Sequence, residues 1–370
     1  MSQSRKYQSR EFFTPEKYIQ EQAARMESNR GNILFASCSS GTGIASGVVS
    51  TYEDLLRREG NSKGILFLKD IDSSFSDTET VVRLQEHVGG ADVYLFQSLL
   101  DPISARDVND NYMRFLIAVR AFKEHGANLV TGVLPYLAYA RQDKPTKFQR
   151  EPTTAKLTAD LGVTAGLDRI ISWHPHSNQI SGFYGNIPVH MLDPLTLFEE
   201  VFNKYRDRED VIAVAPDAGA TKLIMHFSRE MNVNSAIAAK YRPKSEEAVI
   251  TDIIGDFRKK KTALVMDDMI SSAGTVESLI TKLVEDKGVE EVHLCASHNL
   301  CLQGAYETLS GLHRKGFLST VTVTNSIPQS AEFTELPFFS VEPLEEIFCR
   351  TINRIHYNRS VSEVFQINMG

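Results

Sequence analysis

Short runs of apolar and β-branched residues alternate with amphipathic segments along most of the chain, and this alternation limits the folds that it can adopt. The runs are apolar on consecutive residues, which is typical of strands that helices cover on both faces. In chain order they are NILFAS, GILFLKD, DVYLFQS, NLVTGVLPY, RIISWH, DVIAVAP, NSAIAAK, TALVMDD, EVHLCAS and STVTVTN. This order of strands and helices predicts an α/β fold with mainly parallel sheets flanked by helices.

The runs fall into two groups of about five, with a break near Pro188 and Pro194, and two sheets fit them better than one sheet of about ten strands. A chain of 370 residues is also long enough for two domains. We therefore predict two similar lobes. The predicted segments are an N-terminal extension (1–31), an N-terminal lobe (32–190), a C-terminal lobe (191–345) and a C-terminal helix with a tail (346–370).

Charge and composition exclude only a few classes of function. A net charge of -7 argues against general affinity for nucleic acid or anionic membranes, although a local basic pocket can still hold an anionic small molecule. No apolar run approaches the ~18 residues of a membrane span, and the first residues lack the apolar centre of a secretory signal, so we expect a cytoplasmic protein. The cysteines lack zinc-like spacing, and we interpret them as buried thiols: Cys38, Cys295, Cys301 and Cys349.

The stretch LVMDDMISSAGT, residues 264 to 275, combines a strand, two acids and a turn of hydroxyl groups. The strand ALVM brings Asp267 and Asp268 to the carboxyl edge of a parallel sheet, where ligands bind in such folds. A helical apolar face follows, so the turn lies at a helix N-terminus, where free N–H groups attract phosphate. Gly274 lets the backbone close around the anion. Hydroxyl groups that can donate hydrogen bonds to it belong to Ser271, Ser272 and Thr275.

Adjacent carboxylates can accept hydrogen bonds from a vicinal diol or bind Mg²⁺. A phosphate site beside a diol site indicates a sugar phosphate, namely ribose phosphate. The alternative is that the hydroxyl side chains only cap the helix while the acids face solvent.

The whole string resembles the ribose phosphate loop of type I phosphoribosyltransferases and of their relatives, the ribose-phosphate pyrophosphokinases. The resemblance implies lobes with a type I phosphoribosyltransferase-like fold and a loop that binds ribose 5-phosphate. The residues that it assigns to this loop are Asp267, Asp268, Ser271, Ser272, Ala273, Gly274 and Thr275.

Two further stretches resemble the nucleotide site of the pyrophosphokinases. FSDTET resembles a loop that reaches into the nucleotide site of a neighbouring subunit, with Phe75 against adenine and Asp77 and Glu79 near its polar edges. LPYLAYARQDKPTKFQREPTTAKLTADL resembles the segment that follows a strand of the first lobe. The residues that it carries at the nucleotide-binding positions of the family are Arg141, Gln142 and Asp143.

Three more stretches resemble the metal and catalytic segments of the same family. HPHSNQISGFYGNIPVHML and VAPDAGATK imply that His176 and Asp217 contact Mg²⁺, and that His176 also contacts ATP. AAKYR resembles the start of the catalytic flexible loop, which implies catalytic roles for Lys240 and Arg242 together with Arg141. The resemblance covers about residues 32 to 366, and many ordered matches are more specific than any single one.

Each match also has an ordinary interpretation when it is taken alone. Arg141 can be a solvated surface charge, and Phe75 can be a core residue. His176 can be a structural histidine, and Asp217 can be a helix cap.

The resemblance implies that the chain transfers the β,γ-pyrophosphoryl group of ATP to the 1-hydroxyl of ribose 5-phosphate, with Mg²⁺, to give phosphoribosyl pyrophosphate and AMP. It also implies a homo-oligomer, at least a dimer and a hexamer by analogy with the family. One alternative is a pyrophosphokinase-like subunit without activity that regulates a partner. A phosphoribosyltransferase is a further alternative, but it would not need the two nucleotide-site stretches.

The chain departs from the family pattern at positions near the expected sites. Ser271 stands where an aspartate is usual, and His174 replaces an aspartate two residues before His176. Many members are activated by phosphate and inhibited by ADP through a serine and an arginine after the FSD loop, where this chain has His87 and Gly89. We therefore expect weak or altered regulation by ADP and phosphate.

Overall fold

The computed structural model describes residues 26–104, 106–241 and 249–364. The strands are β1 (Glu27–Ser28), β2 (Gly31–Ser37), β3 (Leu66–Leu68), β4 (Asp72–Ser74), β5 (Thr80–Val82), β6 (Ala91–Phe96), β7 (Leu129–Leu134), β8 (Arg169–Trp173), β9 (Val189–Leu192), β10 (Val211–Ala215), β11 (Asn234–Tyr241), β12 (Val249–Ile254), β13 (Thr262–Ile270), β14 (Glu291–Asn299), β15 (Thr320–Thr324) and β16 (Phe339–Glu342). The α-helices are α1 (Thr42–Arg58), α2 (Val108–Glu124), α3 (Thr154–Ala165), α4 (Leu195–Val201), α5 (Thr221–Met231), α6 (Gly274–Glu285), α7 (Gln303–Arg314), α8 (Ala331–Thr334) and α9 (Glu345–His356).

The strands form two large sheets that are mainly parallel, as predicted. The first sheet has seven strands in the order β1-β2-β6-β7-β8-β9, with β3 paired to β2, and only β1 runs antiparallel to its neighbour. The second also has seven, in the order β12-β11-β10-β13-β14-β15-β16, and only β12 is antiparallel. A separate hairpin pairs β4 with β5.

Each apolar run named above forms a strand, but both sheets are larger than the predicted groups of about five. The strands that the pattern missed in the two sheets are short or lie at an edge: β1, β9, β12 and β16. Such strands need few apolar residues, and therefore leave little signal in the sequence. The predicted lobe boundaries remain predictions. The boundary predicted at residue 190 falls within β9, which pairs with β8 in the first sheet.

One apolar core joins the two sheets to each other. It contains Phe35 of β2, Met266 of β13 and Phe348 of α9, and all three side chains are fully buried. The helix α9 follows the last strand of the second sheet, yet it packs on α1 beside the first sheet, where Asn353 donates a hydrogen bond of 2.7 Å to the hydroxyl of Tyr52. The shared core therefore fixes one sheet against the other.

The cysteines agree with their interpretation except at one position. Cys38, Cys295 and Cys349 are buried, whereas Cys301 at the end of β14 is partly exposed. None of the helices in the described part of the chain is both long enough and apolar enough to cross a membrane.

Candidate active site

The paired acids lie in the last part of β13, a strand in the interior of the second sheet between β10 and β14. The sequence predicts a strand that ends at Met266, but β13 continues to Ile270, because its partner β14 also extends and pairs Asp267 with Ala296 and Met269 with His298. The two carboxylates are thus held by a regular strand instead of by a loop.

The turn after β13 differs from the prediction in which residue adopts the special backbone conformation. Ala273, and not Gly274, has the left-handed conformation, with φ of 63°. Ala273 is also the N-cap of α6, and its methyl group cannot accept a hydrogen bond, so the interpretation of the hydroxyl side chains as the N-cap is wrong. A Cβ on Gly274 would meet nothing closer than Ser272 Oγ at 4.0 Å, so there is open space in front of the first turn of α6.

The carboxyl groups of the two acids differ in electrostatic state. Burial, together with the charges of Asp268 and Asp217, raises the pKa of Asp267 well above its usual value. Burial alone would also raise the pKa of Asp268, but the hydrogen bond with His176 and the charge of that histidine hold it below its usual value. Asp267, which favours the protonated form, therefore lies next to Asp268, which favours the ionised form.

His176 brings the first lobe into contact with this pair. Its Nδ1 lies 2.5 Å from Oδ2 of Asp268, and this hydrogen bond raises the pKa of His176. The charges of Asp143 and Arg141 also act on His176, the first raising and the second lowering its pKa. Residues of the predicted nucleotide site, namely Arg141, Asp143 and His176, therefore lie together with Asp268 of the predicted ribose site at the junction of the two sheets. We call this junction the crevice.

The segment around Asp143 is held in place by polar contacts within the first lobe. The side chain of Gln179 donates a hydrogen bond of 2.5 Å to the buried Asp143, and Thr154 at the start of α3 donates one of 2.6 Å to Gln142. Arg141 itself is exposed, so its guanidinium group can reach a ligand.

Asp217 follows β10 at the same edge of the second sheet. Its Oδ1 accepts hydrogen bonds from the backbone N–H groups of Gly219 at 2.8 Å and Ala220 at 3.4 Å, which order the turn before α5. Among residues 26–104, 106–241 and 249–364, no group of three or more His, Cys, Asp or Glu side chains could hold a metal ion.

The predicted adenine platform is the tip of the hairpin formed by β4 and β5. Phe75 is 50% exposed, and its backbone N–H donates to the carbonyl of Glu79 at 2.9 Å. Asp77 accepts a hydrogen bond of 3.2 Å from the N–H of Glu79, and both acids are exposed. The hairpin therefore presents an aromatic ring and two carboxylates to solvent, where another molecule can contact them.

The predicted catalytic loop is described only where it begins. Lys240 lies in β11 opposite Ile250 of β12, at a place where the pairing of the two strands shifts register. Arg242 lies outside the described residues. The strands β11 and β12 form an antiparallel pair at the edge of the second sheet.

The sequence analysis missed one residue of the crevice, Tyr136. It follows β7 and is 8% exposed. Burial raises the pKa of its hydroxyl; the charge of Arg141 lowers this pKa, and the charge of Asp268 raises it. Its position just after an apolar run was the signal available in the sequence. Tyr136 therefore lies where the charges of both lobes act.

Comparison with known families agrees with this arrangement. Residues 59–166 match the N-terminal domain of ribose phosphate pyrophosphokinase. Residues 195–315 match the phosphoribosyl transferase domain. The matched regions include strands of both large sheets together with Arg141, Asp217 and Asp268, whereas His176 lies between the two regions.

Individual relatives match over most of their length. A ribose-phosphate pyrophosphokinase of Clostridium acetobutylicum is 38% identical over 79% of this chain and 88% of the relative, and one of Clostridium perfringens is 36% identical over 86% and 96%. The crystal structure of phosphoribosylpyrophosphate synthetase from Mycobacterium smegmatis superposes with a TM-score of 0.75 at 28% identity, covering 88% of this chain and 99% of that chain. This chain therefore belongs to the ribose-phosphate pyrophosphokinase family of diphosphate-transferring enzymes.

Proposed function

We propose that the chain transfers the β,γ-pyrophosphoryl group of ATP to the 1-hydroxyl of ribose 5-phosphate. The hydroxyl oxygen forms a bond to the β-phosphorus, and the bond from this phosphorus to the oxygen that bridges to the α-phosphorus breaks. AMP leaves with the bridging oxygen, the hydroxyl proton is released, and phosphoribosyl pyrophosphate is the second product.

The observation that carries the proposal is the contact of 2.5 Å between His176 and Asp268. One residue belongs to the predicted ATP site and the other to the predicted ribose site, so the two sites open into one crevice. A transfer between two polyanions requires that both are held in line at close distance. This crevice between two rigid sheets can supply such placement.

The opposite pKa shifts of Asp267 and Asp268 support a diol ligand at the ribose end. A protonated carboxyl group donates a hydrogen bond, whereas a carboxylate accepts one, and each hydroxyl of a vicinal diol can do both. The open space before Gly274 lies at the N-terminus of α6, where backbone N–H groups favour a phosphate. A ribose phosphate satisfies both ends of this site.

We propose Mg²⁺ as the cofactor, with His176 and Asp217 as the residues that contact it. Mg²⁺ is usually held by one or two carboxylates together with phosphate oxygens of the substrate, so the lack of a complete protein cage among the described residues fits this ion. When bound, the ion neutralises negative charge on the phosphates. The proposed catalytic cations of the chain itself are Lys240, Arg242 and Arg141.

The exposed tip of the β4–β5 hairpin supports a homo-oligomer. Phe75 would stack on adenine in the site of a neighbouring protomer, with Asp77 and Glu79 near the polar edges of the base. An aromatic ring that is half exposed on a hairpin gains burial from such a contact. The proposal includes at least a dimer, and a cytoplasmic location.

The test is a direct assay of purified protein with Mg²⁺, ATP and ribose 5-phosphate, followed for AMP by chromatography and for phosphoribosyl pyrophosphate by ³¹P NMR. The two products should form in equal amounts. A ribose 5-phosphate analogue without the 1-hydroxyl should give no AMP. Asp268→Asn should lose activity, whereas Asp286→Asn, which changes an exposed acid after α6, should not. Intact ATP binding by calorimetry without any AMP would instead favour the regulatory-subunit alternative.

A further inference from the structure

Three hydrogen bonds tie residues 174 to 176 of the first lobe to the second sheet. The first joins His176 to Asp268, as described above. The second joins Nδ1 of His174 to the hydroxyl of Ser297 at 2.6 Å, and the third joins Nε2 of His298 to the backbone carbonyl of His174 at 3.1 Å. His298 thus holds the backbone of a segment whose last side chain reaches Asp268.

The protonation of His298 follows from its partners. The carbonyl of His174 can only accept, so Nε2 of His298 carries the proton, and Nδ1 accepts a hydrogen bond from the hydroxyl of Ser326 at 2.8 Å. The Ser326 hydroxyl also lies 2.9 Å from the carbonyl of Ser297, but that carbonyl already accepts a hydrogen bond of 2.5 Å from Thr324, so we assign the single Ser326 proton to His298, the closer of its two acceptors. Burial lowers the pKa of His298 to about 4, which agrees with a neutral ring.

The position of the His298 ring is fixed on all sides. The residue is 1% exposed, Ser297 and Ser326 are fully buried, and the ring of Tyr136 meets the imidazole edge to face with 5.0 Å between the ring centres. A side chain enclosed in this way has one orientation, so it can define the position of whatever it binds.

The segment of residues 174–176, to which His298 binds, contains a residue in an unfavourable backbone conformation. His174 has φ of 35°, in the left-handed region that residues with a Cβ rarely adopt. It follows directly after β8, so a change in its conformation would redirect Pro175 and His176. The N–H of His174 donates a hydrogen bond of 2.9 Å to the carbonyl of Leu192, and the bond from His298 to its carbonyl fixes the other side of the same residue, from which Pro175 and His176 continue.

We propose that His298 is a positioning residue, which holds the 174–176 segment across the junction of the lobes so that His176 meets Asp268. Its effect on catalysis rests on the proposed function, but its effect on the segment does not. His298 does not contact the expected substrates through its ring, because both ring nitrogens already have protein partners. Removing it should therefore misplace His176, a proposed contact of ATP and Mg²⁺, without removing a substrate contact of His298 itself.

The test compares His298→Ala with His293→Ala, a matched control in the same strand. His293 is also buried and bonded through both ring nitrogens, to Tyr205 at 2.6 Å and Thr320 at 2.8 Å, but it lies at the other end of β14. Amide hydrogen exchange followed by mass spectrometry should show faster exchange at residues 173–178 in His298→Ala only. In the assay, His298→Ala should lower kcat about tenfold to hundredfold, with KM for ribose 5-phosphate within about threefold of the parent.

Rescue by a conservative variant separates positioning from packing. The amide nitrogen of glutamine lies where Nε2 of histidine lies, so His298→Gln should restore both the slow exchange at 173–178 and most of kcat. If His298→Ala does not fold, Ser297→Ala, which removes the other bond to His174, should give the same local increase in exchange. Unchanged exchange at 173–178 in these variants would overturn the proposal. If the unmodified protein shows no activity in the assay, the proposed function is overturned, but the exchange test of His298 remains valid.

Discussion

Asp267 and Asp268 are consecutive residues of β13, yet the pKa values of their carboxyl groups shift in opposite directions. Successive side chains of a strand point to opposite faces, so neighbours in sequence have different surroundings. Asp267 is half-buried near the charges of Asp268 and Asp217, whereas Asp268 meets His176 from the other lobe. One strand thereby presents a hydrogen-bond donor and a hydrogen-bond acceptor side by side.

Replacement of Asp267 by asparagine should stabilise the protein, and more so as the pH rises. The folded pKa of Asp267 is raised, so its contribution to stability is complete below the unfolded pKa of about 3.8 and is lost as pH rises through the folded value. Asparagine does not ionise, so the variant does not lose stability in this way as the pH rises. Thermal unfolding should therefore show the Tm advantage of Asp267→Asn growing by about 2 °C or more between pH 5 and pH 9. The exposed Asp286→Asn should show no such trend, and an equal trend in both variants would contradict the prediction.

Lys240→Ala and Arg242→Ala should lower kcat far more than they raise KM. Fixed cations that act on developing negative charge are often worth about 10²-fold each. Steady-state kinetics with ATP and ribose 5-phosphate provide the measurement. Lys261→Ala is the control, because this lysine is exposed and pairs with Glu290, and it lies just before the start of β13, at the end of the strand opposite to Asp267 and Asp268. Activity of the two variants within a few-fold of the parent would remove both residues from the chemistry.

Phe75→Ala should weaken ATP binding without changing the stability of the fold. Stacking of a base on an aromatic ring contributes about 1–3 kcal/mol, so we expect KM for ATP to rise about tenfold while KM for ribose 5-phosphate stays the same. Tyr357→Ala is the control, since Tyr357 is an aromatic residue that is 39% exposed after α9, outside both predicted nucleotide-site stretches. Equal effects of the two variants on ATP would argue against a stacking role for Phe75.

Activity should depend only weakly on inorganic phosphate and on allosteric ADP. The positions of the usual serine and arginine are occupied by His87 and Gly89, and an anion site that lacks its arginine loses a bidentate partner. The measurement is the initial rate against phosphate concentration at several fixed concentrations of ADP. ADP should then act only in competition with ATP. A steep activation by phosphate together with inhibition by ADP that ATP does not relieve would refute this prediction.

Local patterns in the sequence predicted the elements well, and the turns between them less well. The apolar runs that became β10 and β13 could be read because buried parallel strands are apolar on consecutive residues. The conformation of Ala273 could not be read in this way, because glycine is the usual residue in the left-handed region and Gly274 stands next to it. The short edge strands β9 and β16 also left no clear pattern.

The sequence by itself determined the alternation of strands and helices, the two sheets, and the presence of acids and hydroxyl groups where strands end, because these depend on neighbours along the chain. Only the tertiary structure decided that His176 meets Asp268 and that His298 binds the carbonyl of His174. The two residues of the first contact lie 92 positions apart in the chain, and those of the second lie 124 positions apart. They arise from the packing of one sheet against the other around a shared core, which no local pattern encodes.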